Sequence, residues 1–137
     1  MTERPGQCLC GTVRYRLKAA PIVTAVCHCK HCQRQAGSAF SVVVVAPAAS
    51  VEIEGELKTY RDTADSGAAL DRRFCPNCGS AMFSVQPDQP GTIIIKAGSF
   101  DETGWLKPVA HVWCNSAQPW VEISGKVAKF PGNAPSG

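Results

Sequence analysis

Residues 75–79 read CPNCG, and residues 8–11 read CLCG. Each is a close cysteine pair followed by glycine, and their spacing decides how this chain is held together. A two-residue spacer folds the sulfurs of Cys75 and Cys78 onto one ion, and structural zinc takes four ligands in a tetrahedron with thiolate sulfurs about 2.3 Å away. Gly79 and Gly11 can take positive φ, which turns backbone N–H groups toward the sulfurs. Cys8, Cys10, Cys75 and Cys78 therefore form a candidate closed metal site. It would clip the N-terminal strand to the middle of the chain across a long loop. Scattered free thiols and a disulfide framework are the competing readings.

Between the two pairs lies VCHCKHCQRQAG, residues 26–37, with three more cysteines at 27, 29 and 32. A C-x-C-x-x-C segment can curl around a single ion. Three protein ligands and one exchangeable position make the pattern of a catalytic zinc. Two alternatives stay open: a closed site with His28 or His31 as fourth ligand, or thiols that hold metal only in part. Cys114, alone between Trp113 and Asn115, reads as a small buried hydrophobe and falls outside both sets.

The chain has 137 residues, about one domain, and 45% of them are hydrophobic, enough for a core that does not rest on metal alone. No run of about 18 apolar residues is present, so no membrane helix is expected. The N-terminal MTERPG lacks a signal-peptide stretch. A cytoplasmic location follows as an expectation, and there clustered cysteines bind metal more often than they pair. The formal charge of +3 falls to zero once seven thiolates and two Zn²⁺ ions are counted. A basic surface for nucleic acid is therefore not expected.

Apolar runs are short and Gly and Pro punctuate the chain throughout. SAFSVVVVAP is rich in β-branched residues and ends at Pro47, so it reads as a buried strand. VEIEGELKTYR alternates around Gly55 like a hairpin or two edge strands. AMFSV, TIIIKAGSF and AHVWC are further strand candidates. One short helix is expected after Cys29, ending at Gly37. The fold class is mostly β, with antiparallel sheets and one or two short helical turns. Residues 1–123 read as one domain and 124–137, rich in Gly and Pro, as a flexible tail.

The motifs together, CxCGxVRY, CHCxxCQRxxGSAF, RRFCPNCGSAMF and GSFDE…AHVW…PW, resemble the glutathione-dependent formaldehyde-activating enzyme family, which shares its domain with a centromere-associated protein. The resemblance runs from about Gln7 to Trp120. It implies a zinc-stapled fold of the β-tent type, with a structural zinc at Cys8, Cys10, Cys75 and Cys78 and a second zinc at Cys27, Cys29 and Cys32. It also implies a carbon–sulfur lyase-type activity, addition of glutathione to formaldehyde to give S-hydroxymethylglutathione. Cys114 is not part of that family pattern.

The chemistry suits such a site. A thiol attacks an aldehyde as its thiolate, and zinc favours that form by binding the sulfur. An all-thiolate shell leaves zinc electron-rich, which favours this role over polarising the carbonyl. His28 and His31 are candidate proton donors for the new hydroxyl. Arg34 is a candidate partner for a glutathione carboxylate. Ser38 and Phe40, after Gly37, and His111 and Trp113, two apart on a strand, are expected to line the cavity beside the second metal. Arg72 and Arg73 read as surface or supporting residues. A metal- or thiol-binding module without turnover, and a structural interaction domain, are the alternatives to an enzyme.

Overall fold

The computed structural model describes residues 3–134. Eleven strands and one helix follow one another along the chain: β1 (Arg4–Gln7), β2 (Arg14–Leu17), β3 (Val23–Cys27), α1 (Lys30–Ala36), β4 (Ser41–Pro47), β5 (Val51–Glu54), β6 (Lys58–Thr63), β7 (Ala69–Phe74), β8 (Ala81–Val85), β9 (Thr92–Lys96), β10 (Ala110–Val112) and β11 (Ala128–Lys129). The mostly β expectation holds. A three-stranded sheet runs β1-β2-β5, and an eight-stranded sheet runs β11-β10-β3-β4-β9-β8-β7-β6. Pairing is antiparallel except around β10, which lies parallel to both β3 and β11. None of the described helices is long and apolar enough to cross a membrane.

The expected helix ends where its glycine requires. Gly37 caps α1 in the left-handed region at φ 63, and its N–H returns to the Arg34 and Gln33 carbonyls. The stretch around Gly55 is two edge strands rather than a hairpin: β5 closes the small sheet and β6 the large one. Gly55 makes that change of sheet at φ 100, packed against the Thr12 carbonyl with no room for a Cβ. AHVWC is strand only to Val112. Trp113 turns into the left-handed region at φ 56, and a 3-10 turn follows over Cys114–Ser116.

Part of the segment expected to be a loose tail is docked. Beyond the pairing of Ala128–Lys129 with β10, Trp113 N–H donates to the Gly132 carbonyl at 2.9 Å and Phe130 N–H to the His111 carbonyl at 2.9 Å. Residues 135–137 lie outside the described residues.

The register of the large sheet sorts its side chains by face. Val44 lies opposite Ile95, and Ile95 opposite Phe83; all three are fully buried in the main core with Val13, Tyr15 and Leu17 of the small sheet. Tyr15 stacks edge-on against Phe83 and Phe100, and its hydroxyl meets Ser99 Oγ at 2.7 Å. Successive residues alternate faces, so the other face carries a second set. Val112 lies opposite Cys27, Cys27 opposite Ser41, Val43 opposite Lys96, and Ile94 opposite Ser84, which in turn faces Arg72. This second face holds the chemistry.

Candidate metal centre and active-site cavity

The first cysteine set converges as its spacing predicts. The sulfurs of Cys8, Cys10, Cys75 and Cys78 all lie within 4.8 Å of one another. Cys8 and Cys10 are 3.6 Å apart, and Cys10 and Cys75 are 3.8 Å apart. A tetrahedron with about 2.3 Å zinc–sulfur bonds has edges of about 3.8 Å, so these two spacings match those of a zinc site. Gly11 and Gly79 both take positive φ, at 79 and 77, closing the turns Gly11 N–H to Cys8 O and Gly79 N–H to Cys75 O. The turns between β1 and β2 and between β7 and β8 thereby face each other. Hydrogen bonds prepare two of the thiols for ionisation. The Ser80 hydroxyl and backbone lower Cys78 to about 5, and Thr12 and Asn77 lower Cys10 to about 7. Metal ligation requires that deprotonated form.

The second set sits at the end of β3 and on the first turn of α1. Cys27, Cys29 and Cys32 are all buried, with their sulfurs within 4.8 Å of one another. Cys29 caps the helix, its sulfur accepting the Cys32 N–H at 3.2 Å. Gln33 fixes the helix behind them, donating to the carbonyls of His28 at 2.7 Å and Ser116 at 2.9 Å. The three thiols share charge unequally. Hydrogen bonds from Cys27 and Cys29, assisted by the Lys96 and Arg72 cations, hold Cys32 far below the ordinary thiol range, while Cys27 is pushed up by its bonds to Cys29 and Cys32. Three convergent sulfurs, with no further Cys, His, Asp or Glu in their group among the described residues, also fit zinc, with one position left over.

These thiols open on a 170 Å³ cavity in the second face of the large sheet. Val43, Ile94, Val112 and Trp113 supply apolar walls, and Lys96, Ser84 and Arg72 supply polar ones. Trp113 is held by its neighbours: the indole Nε1 donates to Asn133 Oδ1 at 2.8 Å, and the ring rests on Gly132, where a Cβ would stand 3.8 Å away. Burial draws Lys96 below the ordinary lysine range, the Cys32 charge opposing it.

Several expected residues lie elsewhere. His28 is fully buried, but its ring points away from the cavity, stacked on His111 with Nε2 to Nδ1 at 2.8 Å. Burial, then the neighbouring charge of His111, lowers His28. His111 lies opposite Val26, one residue out of phase with Cys27, so it belongs to the other face. His111 and Trp113 do not share a side, because the left-handed turn at Trp113 ends the alternation. Phe40 packs edge-on against His28, and with Ser38 it lines an 860 Å³ groove that contains none of the three sulfurs and shares Lys96 with the cysteine cavity. His31 and Arg34 line a third hollow of 470 Å³, which shares Asp65 and Arg72 with the cysteine cavity.

Sequence reasoning missed the polar floor. Arg72 is no surface residue: it is 4% exposed, and its Nε donates to Asp62 Oδ2 at 2.8 Å. His31 Nδ1 meets the same oxygen at 2.9 Å, and His31 Nε2 meets Asp65 at 3.1 Å. This network ties α1 to the β6–β7 hairpin. Lys96 ends an isoleucine run and reads as a strand terminus; only its register against β4 brings it beside the cysteines.

The profile of the family described as "Glutathione-dependent formaldehyde-activating enzyme" matches residues 3–116. The chain belongs to that family. An Aspergillus flavus protein provisionally named for the same enzyme is 30% identical over 106 residues, covering 74% of this chain and 55% of its own length. A Halomonas elongata protein with the same provisional name is 27% identical over 127 residues, covering 88% of this chain and 81% of its own. The chain thus spans about half the length of the Aspergillus relative and most of the Halomonas one. A crystal structure of a Rhodobacter sphaeroides protein superposes with a TM-score of 0.56 at 17% identity, covering 76% of this chain and 91% of that one, a likeness of fold. The family match ends at residue 116, so Gly132 and Asn133, which hold Trp113 in place, lie beyond it.

Proposed function

We propose that this member of the family binds zinc at both cysteine sets and forms or cleaves the carbon–sulfur bond of a glutathione–formaldehyde adduct in the three-cysteine cavity. The observation that carries the reading is the contrast between the sets: four sulfurs closed on one another, and three that face a cavity. A zinc ion held by Cys27, Cys29 and Cys32 would supply an exchangeable position at which an incoming thiol is stabilised as its thiolate.

The chain's own residues do the rest. Val43, Ile94, Val112 and Trp113 line the cavity and limit the water beside the reacting carbon. A 170 Å³ space accepts formaldehyde and the thiol arm of glutathione, not the whole tripeptide. The remainder lies over the rim, where Lys30 and Arg34 line the adjoining hollow with exposed side chains for the carboxylates. The reaction is redox-neutral: the thiol S–H bond breaks, the S–C bond forms, and the carbonyl oxygen ends with the proton. The localisation expected for such an enzyme is the cytoplasm.

Exchange between free formaldehyde and its glutathione adduct, followed by NMR with and without protein, tests this. The zinc-loaded chain is expected to raise the rate well above the spontaneous one, and Cys29→Ser to abolish the gain. A folded, two-zinc protein that binds glutathione and leaves the spontaneous rate unchanged would make the domain a thiol-binding module.

A further inference from the structure

We infer that Trp113, held in place by residues 130–133, sets the upper size of the aldehyde that the cysteine cavity takes. This rests on the reaction proposed above and adds to it the residue that selects among substrates.

Among the described residues, Trp113 alone takes a positive φ without being glycine, at 56. A bulky side chain leaves that region unless its surroundings hold it there, and such outliers gather at binding sites. Here the surroundings are a clamp. Trp113 N–H donates to the Gly132 carbonyl at 2.9 Å, and Cys114 N–H to the Phe130 carbonyl at 3.0 Å. The indole Nε1 donates to Asn133 Oδ1 at 2.8 Å. A Cβ at Gly132 would stand 3.8 Å from the ring, so the ring lies close against that backbone. Backbone and side chain are both fixed, and the indole keeps one orientation. Gly132 and Asn133 lie beyond residues 3–116, which the family profile matches, so the profile does not prescribe this clamp.

The clamped ring packs against Cys27, Cys29 and Cys32. It is the largest side chain on the cavity wall, and Asn133 lines the same cavity. Val43, Ile94 and Val112 stand on paired strands and do not move aside. At the β6–β7 turn the wall is made by the small Ala64 and Ser66 and by Asp65, which is tied to His31 at 3.1 Å. The space beside the sulfurs is therefore bounded by sheet, by an anchored turn and by a fixed indole.

That space, 170 Å³, has to hold the reacting sulfur and carbon together. Every glutathione adduct brings the same thiol arm, so what varies is the chain on the aldehyde carbon. Formaldehyde carries only hydrogen there. The bond changes are the same for any aldehyde: sulfur bonds to the carbonyl carbon, the π pair moves onto oxygen, and the proton lost by the thiol ends there. Selection among aldehydes is thus steric. Each added methylene needs room that the indole does not yield, and one methylene in a pocket changes discrimination by about 10–200-fold.

The test uses the zinc-loaded full chain with Trp113→Gly, Trp113→Phe and Asn133→Ala. Glycine takes the same φ without a Cβ clash, so Trp113→Gly is expected to fold. Protein-dependent exchange with glutathione is followed by NMR for formaldehyde and for butanal. The wild type is expected to favour formaldehyde at least about 100-fold beyond the spontaneous ratio. Trp113→Gly should cut that preference by about tenfold or more and Asn133→Ala by about threefold, while Trp113→Phe keeps most of it. A Trp113 that only supports the fold would lower both rates together and leave their ratio alone. A second readout needs no turnover: modification of Cys27, Cys29 and Cys32 by N-methylmaleimide and by the bulkier N-benzylmaleimide, mapped by mass spectrometry. Trp113→Gly should raise the benzyl rate relative to the methyl rate by about tenfold. A folded Trp113→Gly protein with wild-type selectivity on both readouts overturns the size gate and leaves the formaldehyde reaction standing. Loss of maleimide selectivity in a protein that never accelerates exchange sustains the gate and overturns that reaction. If Trp113→Gly fails to fold, Asn133→Ala, at an exposed position, decides: unchanged selectivity there overturns the gate.

Discussion

Replacing Cys75 with serine should cost this domain much of its stability, and the size follows from topology. Cys75 is fully buried, and its sulfur lies 3.8 Å from that of Cys10, 65 residues away in sequence. A cross-link that closes a loop of that length removes unfolded-state entropy equivalent to about 4 kcal/mol at 25 °C. A domain of this size holds about 5–15 kcal/mol in all. With about 2.1 cal/mol/K of unfolding entropy per residue over 137 residues, the loss corresponds to about 14 °C in Tm. The comparison that isolates topology is Cys32→Ser. Its site joins positions five apart, for which the same relation gives about 2 kcal/mol, or about 7 °C. Thermal melts by circular dichroism, with zinc counted by elemental analysis, read both. A Cys75→Ser protein that melts within about 3 °C of the wild type and keeps two zinc ions would refute the pairing of the four cysteines. Equal losses in the two variants would refute the claim that one set staples the fold and the other does not.

Three further outcomes follow from the same geometry. Chelator titration of the zinc-loaded protein should remove one ion well before the other, with Tm falling less as the first leaves than as the second does; simultaneous loss would contradict two unequal sites. Asp62→Asn strips Arg72 of its carboxylate and should cost about 2–3 kcal/mol at pH 7 by urea unfolding. Burial opposes the Asp62 charge, but Arg72 and His31 together hold its carboxyl below the ordinary range. A depressed carboxyl stabilises the fold above its unfolded pKa of about 4 and loses that contribution as pH falls through the folded value. Asp62→Asn should therefore shallow the acid limb of the stability profile, and an unchanged limb would count against the network. Gly55→Ala places a Cβ against the Thr12 carbonyl at φ 100 and should lower stability by about 2–3 kcal/mol, with metal content unchanged.

How far these features could be read from the sequence depends on their range. Ligand spacing is local, so both cysteine sets and the glycines that close their turns were legible, as was the helix ending at Gly37. Strand identity was legible for the same reason: SVVVV and TIII pack on both faces and carry the β-branched residues such strands favour. Register is not local. Nothing in TIIIK says that Lys96 lies opposite Val43, and nothing in RRF says that one arginine is buried against Asp62 while its neighbour is not. The expectation that His111 and Trp113 share a side assumed an unbroken strand; the turn at Trp113 is held by Gly132 and Asn133, some twenty residues later. Arg34, Ser38 and Phe40 were placed near the metal because they follow it in sequence, yet a helix turn and a sheet lie between adjacency and contact.

Strand β9 has a consequence for how such a protein can change. Ile93 and Ile95 hold the core, while Ile94 and Lys96 floor the cavity. Substitution at the second pair alters what the pocket accepts and leaves the first pair untouched. New specificities are thus reachable by single point changes that keep the scaffold intact. Insertion or deletion of one residue in β9 has the opposite character: it exchanges the two faces, sending the ammonium into the core and isoleucine into the pocket. Relatives that have drifted toward other aldehydes or thiols are therefore expected to keep the length of this strand while varying every second residue along it.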